Sequence, residues 1–125
     1  MIENILIIDD SELVLVMAKD ALEEGGYRVQ TATNGIEANR YIFSKDSPQL
    51  IIIDIMMPML DGNKKAKILK SNEMSRDIPI LLLSSKNDKE MLRLTEEAGA
   101  DGYILKPFSA MEIVNRVKTC LARVK

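Results

Sequence analysis

Asp9-Asp10, Asp54, Ser84 and Lys106 share one property: each comes directly after a short apolar run. The runs are Ile5-Leu6-Ile7-Ile8, Leu50-Ile51-Ile52-Ile53, Ile80-Leu81-Leu82-Leu83 and Tyr103-Ile104-Leu105. An apolar run that stops abruptly on a polar group reads as a buried strand handing that group to a loop. If the strand ends lie together, three carboxylates, an ammonium and a hydroxyl meet. Carboxylates about 4 Å apart repel by roughly 4 kcal/mol per pair at an effective dielectric of about 20. Proton uptake, Lys106 or a divalent cation can offset that repulsion. The chain has no His and one Cys, and an all-oxygen set suits a hard ion such as Mg²⁺ or Mn²⁺. A carboxylate beside such an ion can attack a phosphoryl group and become an aspartyl phosphate. The cation, Lys106 and the Ser84 hydroxyl would neutralise the transferred oxygens.

The elements that must position these groups follow from the same pattern. Leu50 to Ile53 is apolar at every position, as a strand covered on both faces should be, and Asp54 is where it leaves the core. Pro58 and Asp61-Gly62 then mark a loop. Ser11 can cap a first helix carrying Leu13, Val14, Met17, Ala21 and Leu22, stopped by Gly25-Gly26. Its block Leu13-Val14-Leu15-Val16-Met17 has no polar position, so Leu13 and Val16 should be left outside the buried face. They either tuck under a loop or form a docking surface. Tyr27-Arg28-Val29-Gln30-Thr31 alternates like an edge strand. Asn34 and Glu37 start a second helix with Ala38, Tyr41 and Ile42 on its stripe. A thinly apolar third helix after Gly62 has Ala66 and Leu69 as its core contacts. Met91, Leu92 and Leu94 mark a fourth, closed at Ala98-Gly99. Ser109 and Glu112 form a capping box for a fifth, with Ile113, Val114, Val117, Cys120 and Leu121 on one face.

Five strands alternating with five helices imply an α/β fold, a single doubly wound parallel sheet with right-handed crossovers and helices on both faces. Strand two alone delivers no charged group, so it should lie outside strands one, three, four and five, giving the order 2-1-3-4-5. Residues 1–125 are expected to form one domain. With 46% hydrophobic and 29% charged residues the composition is that of an ordinary globular protein. No apolar run nears the roughly 20 residues of a membrane span, and no secretory signal is visible, so a cytoplasmic location is expected. Cys120 reads as packing. A net charge of −2 gives no reason to bind nucleic acid. Lys64, Lys65, Lys67 and Lys70 read as a solvated helix face.

Taken together, Asp9-Asp10, Asp54-Ile55-Met56-Met57-Pro58-Met59-Leu60-Asp61-Gly62, Ser84 and Lys106-Pro107-Phe108 resemble the receiver domain of the two-component response-regulator family. The resemblance spans the whole chain and implies the flavodoxin-like form of the fold. It implies Asp54 as phosphoacceptor, Asp10, Asp54 and the Met56 carbonyl as Mg²⁺ ligands, and Asp9 acting through a bound water. Ser84 would shift toward the phosphoryl group and Tyr103 would rotate inward behind it, remodelling the surface of the fourth helix, fifth strand and fifth helix. Without the resemblance, Tyr103 reads as a surface aromatic. A histidine kinase or histidine phosphotransfer protein would donate the group, and homodimerisation through that remodelled surface is a further implication. The domain would contact neither nucleic acid nor membrane, and as a catalyst would act only on its own phosphorylation and slow dephosphorylation. Lys106-Pro107 would be cis. Asn63 departs from the large apolar residue usual after Asp-Gly, and Met56 and Lys86 fall where the family tunes phosphoryl lifetime.

Three other classes bear comparison. A haloacid-dehalogenase-like phosphohydrolase needs a general acid/base two residues after its nucleophile, where this chain has Met56. A phosphorylation-independent interaction module would not need Asp9, Asp10, Asp54, Ser84 and Lys106 intact. A flavodoxin-like cofactor binder would want a Gly/Ser/Thr-rich phosphate loop where Asp9-Asp10 stands.

Overall fold

The computed structural model describes residues 2–123. In chain order the elements are β1 (Asn4–Ile8), α1 (Glu12–Glu24), β2 (Arg28–Ala32), α2 (Gly35–Ile42), β3 (Leu50–Asp54), α3 (Gly62–Ser71), β4 (Ile80–Ser84), α4 (Asp88–Ala98), β5 (Gly102–Leu105) and α5 (Ala110–Arg123). The five strands form one parallel sheet in the order β2-β1-β3-β4-β5, as the sequence implied. β1, β3 and β4 are buried almost throughout, whereas β2 at the edge is only partly covered. Alternating side chains feed two layers. Ile5, Ile7, Ile52, Leu81 and Leu83 pack against α1 and α5; Leu6, Ile8, Ile51, Ile53 and Leu82 pack against α2, α3 and α4.

Register decides where the polar groups emerge. Ile8 pairs with Ile53, Asp54 with Leu83 and Ser84 with Leu105, so β1, β3, β4 and β5 release their next residues at the same sheet edge. Three caps follow the expected chemistry: Ser11 Oγ accepts from Val14 N, Asn34 Oδ1 from Glu37 N, and Ser109 and Glu112 bond reciprocally. Gly99 closes α4 in the left-handed conformation.

The structure changes several details. The buried stripe of α1 is Leu15, Ala18, Ala21 and Leu22; Met17 is 48% exposed. An unbroken apolar block cannot fix helical phase, and the small Ala18 and Ala21, which let the helix approach the sheet, set it instead. Leu13 and Val16 are in solvent as expected, at 69% and 56%, and no loop tucks over them. On α4, Leu92 faces outward and Met91 inward. Lys65 and Lys70 are not simply solvated. Lys65 Nζ bonds Asn39 Oδ1, and Lys70 Nζ pairs with Asp101 at 2.8 Å while donating to the Ile78 carbonyl. Between β3 and α3 a two-residue antiparallel ribbon, Met56–Met57 against Leu60–Asp61, turns at Pro58-Met59 with Met59 at φ 60. Among the described residues no helix is long and apolar enough to cross a membrane.

Candidate functional site

Asp9 is the first residue past β1, and its backbone extends the ladder by one bond, donating to the Ala32 carbonyl. Its side chain is fully buried. Asp9 Oδ1 accepts from Ser11 N at 2.9 Å, and Oδ2 faces the Lys106 ammonium at 2.9 Å. Asp54, the last residue of β3, is also buried; Oδ1 accepts from Met56 N at 3.0 Å and Oδ2 from Lys106 Nζ at 3.2 Å. Lys106 therefore bridges two buried acids delivered by two neighbouring strands. Burial works against its charge, but contact with Asp9 and the charge of Asp54 outweigh that, and its pKa is raised. Asp10 is the exposed member of the set.

One carboxylate oxygen from each of Asp9, Asp10 and Asp54 lies within 4.8 Å of the other two. The donors are all hard oxygens. Asp9 Oδ2, although beside Lys106, has no hydrogen bond of acceptable geometry among the described residues, so the one ammonium leaves a buried anion incompletely satisfied. Both observations fit a divalent oxygen-seeking cation at this acidic pocket.

Ser84 is buried at the end of β4, where its Oγ accepts from Lys86 N at 3.1 Å and its carbonyl from Lys106 N at 2.8 Å. With one lone pair engaged, the hydroxyl proton is free to be donated elsewhere. Met56 lies beside Asp54 with its side chain in solvent. Lys106-Pro107 is cis. Tyr103 stands away from the acids, its hydroxyl at the surface and bonded to Asp88. Sequence reasoning named Gly62 and Phe108 within its motifs but missed their contacts. Gly62 opens α3 so close to β3 that a Cβ there would lie 2.1 Å from the Asp54 carbonyl oxygen; the Asp-Gly pair marked a turn, and nothing local revealed the contact. Phe108 lines, with Val14, Met17, Ser85, Lys106 and Pro107, an apolar cavity of about 250 Å³ beside the acids.

Fold and site define a doubly wound α/β domain with an acidic pocket that could hold a cation, and a lysine, at the carboxyl edge of its sheet. Residues 5–118 match the model of the response regulator receiver domain, and the chain belongs to that family. It is 39% identical over 121 residues to the alkaline phosphatase synthesis transcriptional regulatory protein PhoP of Bacillus subtilis, covering 97% of this chain and 49% of that protein. Identity is 40% over 121 residues to the phosphate regulon transcriptional regulatory protein PhoB of Pseudomonas aeruginosa, covering 97% and 52%. Among solved structures, a two-component response regulator from Clostridium difficile superposes with a TM-score of 0.85 at 30% identity, covering 98% of each chain. The chain thus spans about half the length of the curated relatives it matches. It is a signalling receiver domain of the phosphorylatable kind and not a classical enzyme.

Proposed function

We propose that Asp54 accepts a phosphoryl group from a phosphohistidine of a sensor histidine kinase or histidine phosphotransfer protein. The observation that carries this reading is the Lys106 ammonium held between buried Asp9 and Asp54 at 2.9 and 3.2 Å, with the Asp10 carboxylate beside them. An Asp54 oxygen bonds to phosphorus as the phosphorus–imidazole bond breaks, and the imidazole leaves neutral because its other nitrogen carries the proton. The Met56 N–H and Lys106 orient the Asp54 carboxylate before attack. Lys106 then exchanges a carboxylate partner for a phosphoryl oxygen, and the free Ser84 O–H donates to another.

Asp10 and Asp54 with the Met56 carbonyl would hold Mg²⁺ or Mn²⁺, and Asp9, whose oxygens already face Ser11 N and Lys106, would act through water. When bound, the cation supplies positive charge against the phosphoryl oxygens. Engagement of Ser84 is coupled to Tyr103 and changes the face formed by α4, β5 and α5, through which the domain regulates an output domain or partner and pairs with a second copy. The domain itself contacts neither nucleic acid nor membrane, consistent with a net charge of −2 and a cytoplasmic setting. Met17 lines the cavity beside Lys106, and Leu13 and Val16 face solvent on the same helix, which supports docking of the donor at this end of α1.

The test is intact-mass spectrometry after incubation with acetyl phosphate, with and without Mg²⁺, on wild type and Asp54→Asn. A single phosphoryl adduct that needs both Mg²⁺ and Asp54 supports the reading. An adduct that survives Asp54→Asn, or none on folded wild type even when trapped cold, refutes it.

A further inference from the structure

Tyr103 sits where α4, β5 and α5 meet, and two charged residues from two helices fix it. Its hydroxyl donates a 2.7 Å hydrogen bond to Asp88 Oδ1 in the first turn of α4. The Arg116 guanidinium of α5 lies over the ring, 5.5 Å from its centroid. The ring packs against the core layer under α4 while the hydroxyl stays at the surface. A surface phenol can bond water at no cost to the fold, so its capture from both sides is a specific arrangement. The bond to Asp88 is also the main reason the phenol pKa is raised; burial and the Asp88 charge add to this, and Arg116 opposes it.

The same turn of α4 is tied to the acidic pocket. Ser84 Oγ accepts from Lys86 N, the Lys86 ammonium pairs with Glu90 at 3.5 Å, and Asn87 Oδ1 caps α4 through Glu90 N at 2.9 Å. From Ser84 to Asp88 the chain is therefore a short bonded turn, a route by which a movement of Ser84 can reach Asp88.

We propose that Asp88 and Arg116 form a clamp that holds Tyr103 facing the surface in the unphosphorylated protein, and that rearrangement of residues 84–88 around Ser84 opens it. The clamp is an autoinhibitory contact: while it is closed, the α4-β5-α5 face keeps its resting shape. This rests on the reading of Tyr103 as a switch. A hydrogen bond to a charged acceptor at a partly exposed site biases such an equilibrium by about fivefold, and the cation–π contact by about two- to threefold.

The experiment is ¹⁹F NMR of the chain labelled with 3-fluorotyrosine. There are three tyrosines, at 27, 41 and 103, and loss of one resonance in Tyr103→Phe assigns the relevant one. In the unphosphorylated protein, Asp88→Ala should move the Tyr103 resonance part of the way to the position it takes in wild type after acetyl phosphate and Mg²⁺. Arg116→Ala should move it less, and Lys89→Ala on the same turn should leave it in place. If phosphorylation moves the wild-type resonance and neither Asp88→Ala nor Arg116→Ala does, the clamp is refuted and the switch stands. If phosphorylation leaves the wild-type resonance unmoved, the switch itself fails and the clamp with it.

Discussion

Gly62→Ala tests how the site is held in place. Gly62 begins α3, and its Cα faces the backbone of β3's last residue. A Cβ there would stand 2.1 Å from the Asp54 carbonyl oxygen and 2.8 Å from both the Asp54 carbonyl carbon and Ile55 Cα. All three are backbone atoms, so no side chain can swing aside. Ordinary contact begins near 3.4 Å, so α3 or the end of β3 must shift by more than 1 Å. Ala66 and Leu69 anchor α3 in the core, and Asp54 is bonded into β4 through Ile55 N and the Leu83 carbonyl. Neither moves freely, and overpacking of this kind costs about 1–3 kcal/mol. For a chain of this size each kcal/mol lowers Tm by about 4 °C. The carboxylate moves with its backbone, and a displacement of about 1 Å at a reacting group is worth on the order of a hundredfold in rate. Thermal melting and the rate of acetyl phosphate-driven adduct formation should therefore both fall. A Tm within 1 °C of wild type together with a rate within twofold would show that the α3–β3 contact does not position Asp54.

Lys106→Met leaves Asp9 and Asp54 without their shared cation. Melting in EDTA should show a loss of about 2 kcal/mol, and millimolar Mg²⁺ should restore more stability to this variant than to wild type; equal Mg²⁺ effects would count against a shared site. Asn63 keeps a buried side-chain oxygen with no partner among the described residues, so Asn63→Leu should raise stability by about 1 kcal/mol, about 4 °C in Tm. A fall would show that this oxygen is satisfied by water. Leu13→Ser with Val16→Ser should change Tm by no more than about 4 °C, since both side chains are in solvent and each such change is worth at most about 0.5 kcal/mol. The pair should slow phosphotransfer from a histidine kinase while sparing the reaction with acetyl phosphate; equal slowing of both would remove the docking role of α1. The bond between Tyr103 and Asp88 forms only with the protonated phenol, whose folded pKa is raised. Its stabilising contribution is therefore complete below the ordinary tyrosine range and lost as pH rises through the raised value. Ultraviolet titration should show two late-ionising tyrosines, Tyr27 and Tyr103, of which only Tyr103 moves to lower pH in Asp88→Ala.

Most of the fold was legible because its signals are local. Uniformly apolar runs ending on Asp9, Asp54 and Ser84 specify strands covered on both faces, and Ser11, Asn34 and Ser109 specify helix starts whose caps the structure contains. The strand order came from asking which strand delivers no charged group, a question about charge and not about propensity. What stayed hidden depends on contacts across the chain. The phase of α1 is set by packing, because its apolar block fits several phases. The space behind Gly62 belongs to β3, eight residues upstream. Lys70 reads as one of four surface lysines until Asp101, far along the chain, is folded against it. Asp88 and Arg116 are ordinary helix charges until β5 places Tyr103 between them.

The central claim is that Asp54, and not Asp9 or Asp10, carries the phosphoryl group. Borohydride converts an aspartyl phosphate to homoserine, so acetyl phosphate-treated protein reduced in this way and mapped by peptide mass spectrometry reports the modified position directly. Homoserine at position 54 in a Mg²⁺-dependent fraction of the protein is the result expected. Homoserine at position 9 or 10 would contradict the assignment, as would an unreduced Asp54 in protein whose intact mass shows the adduct.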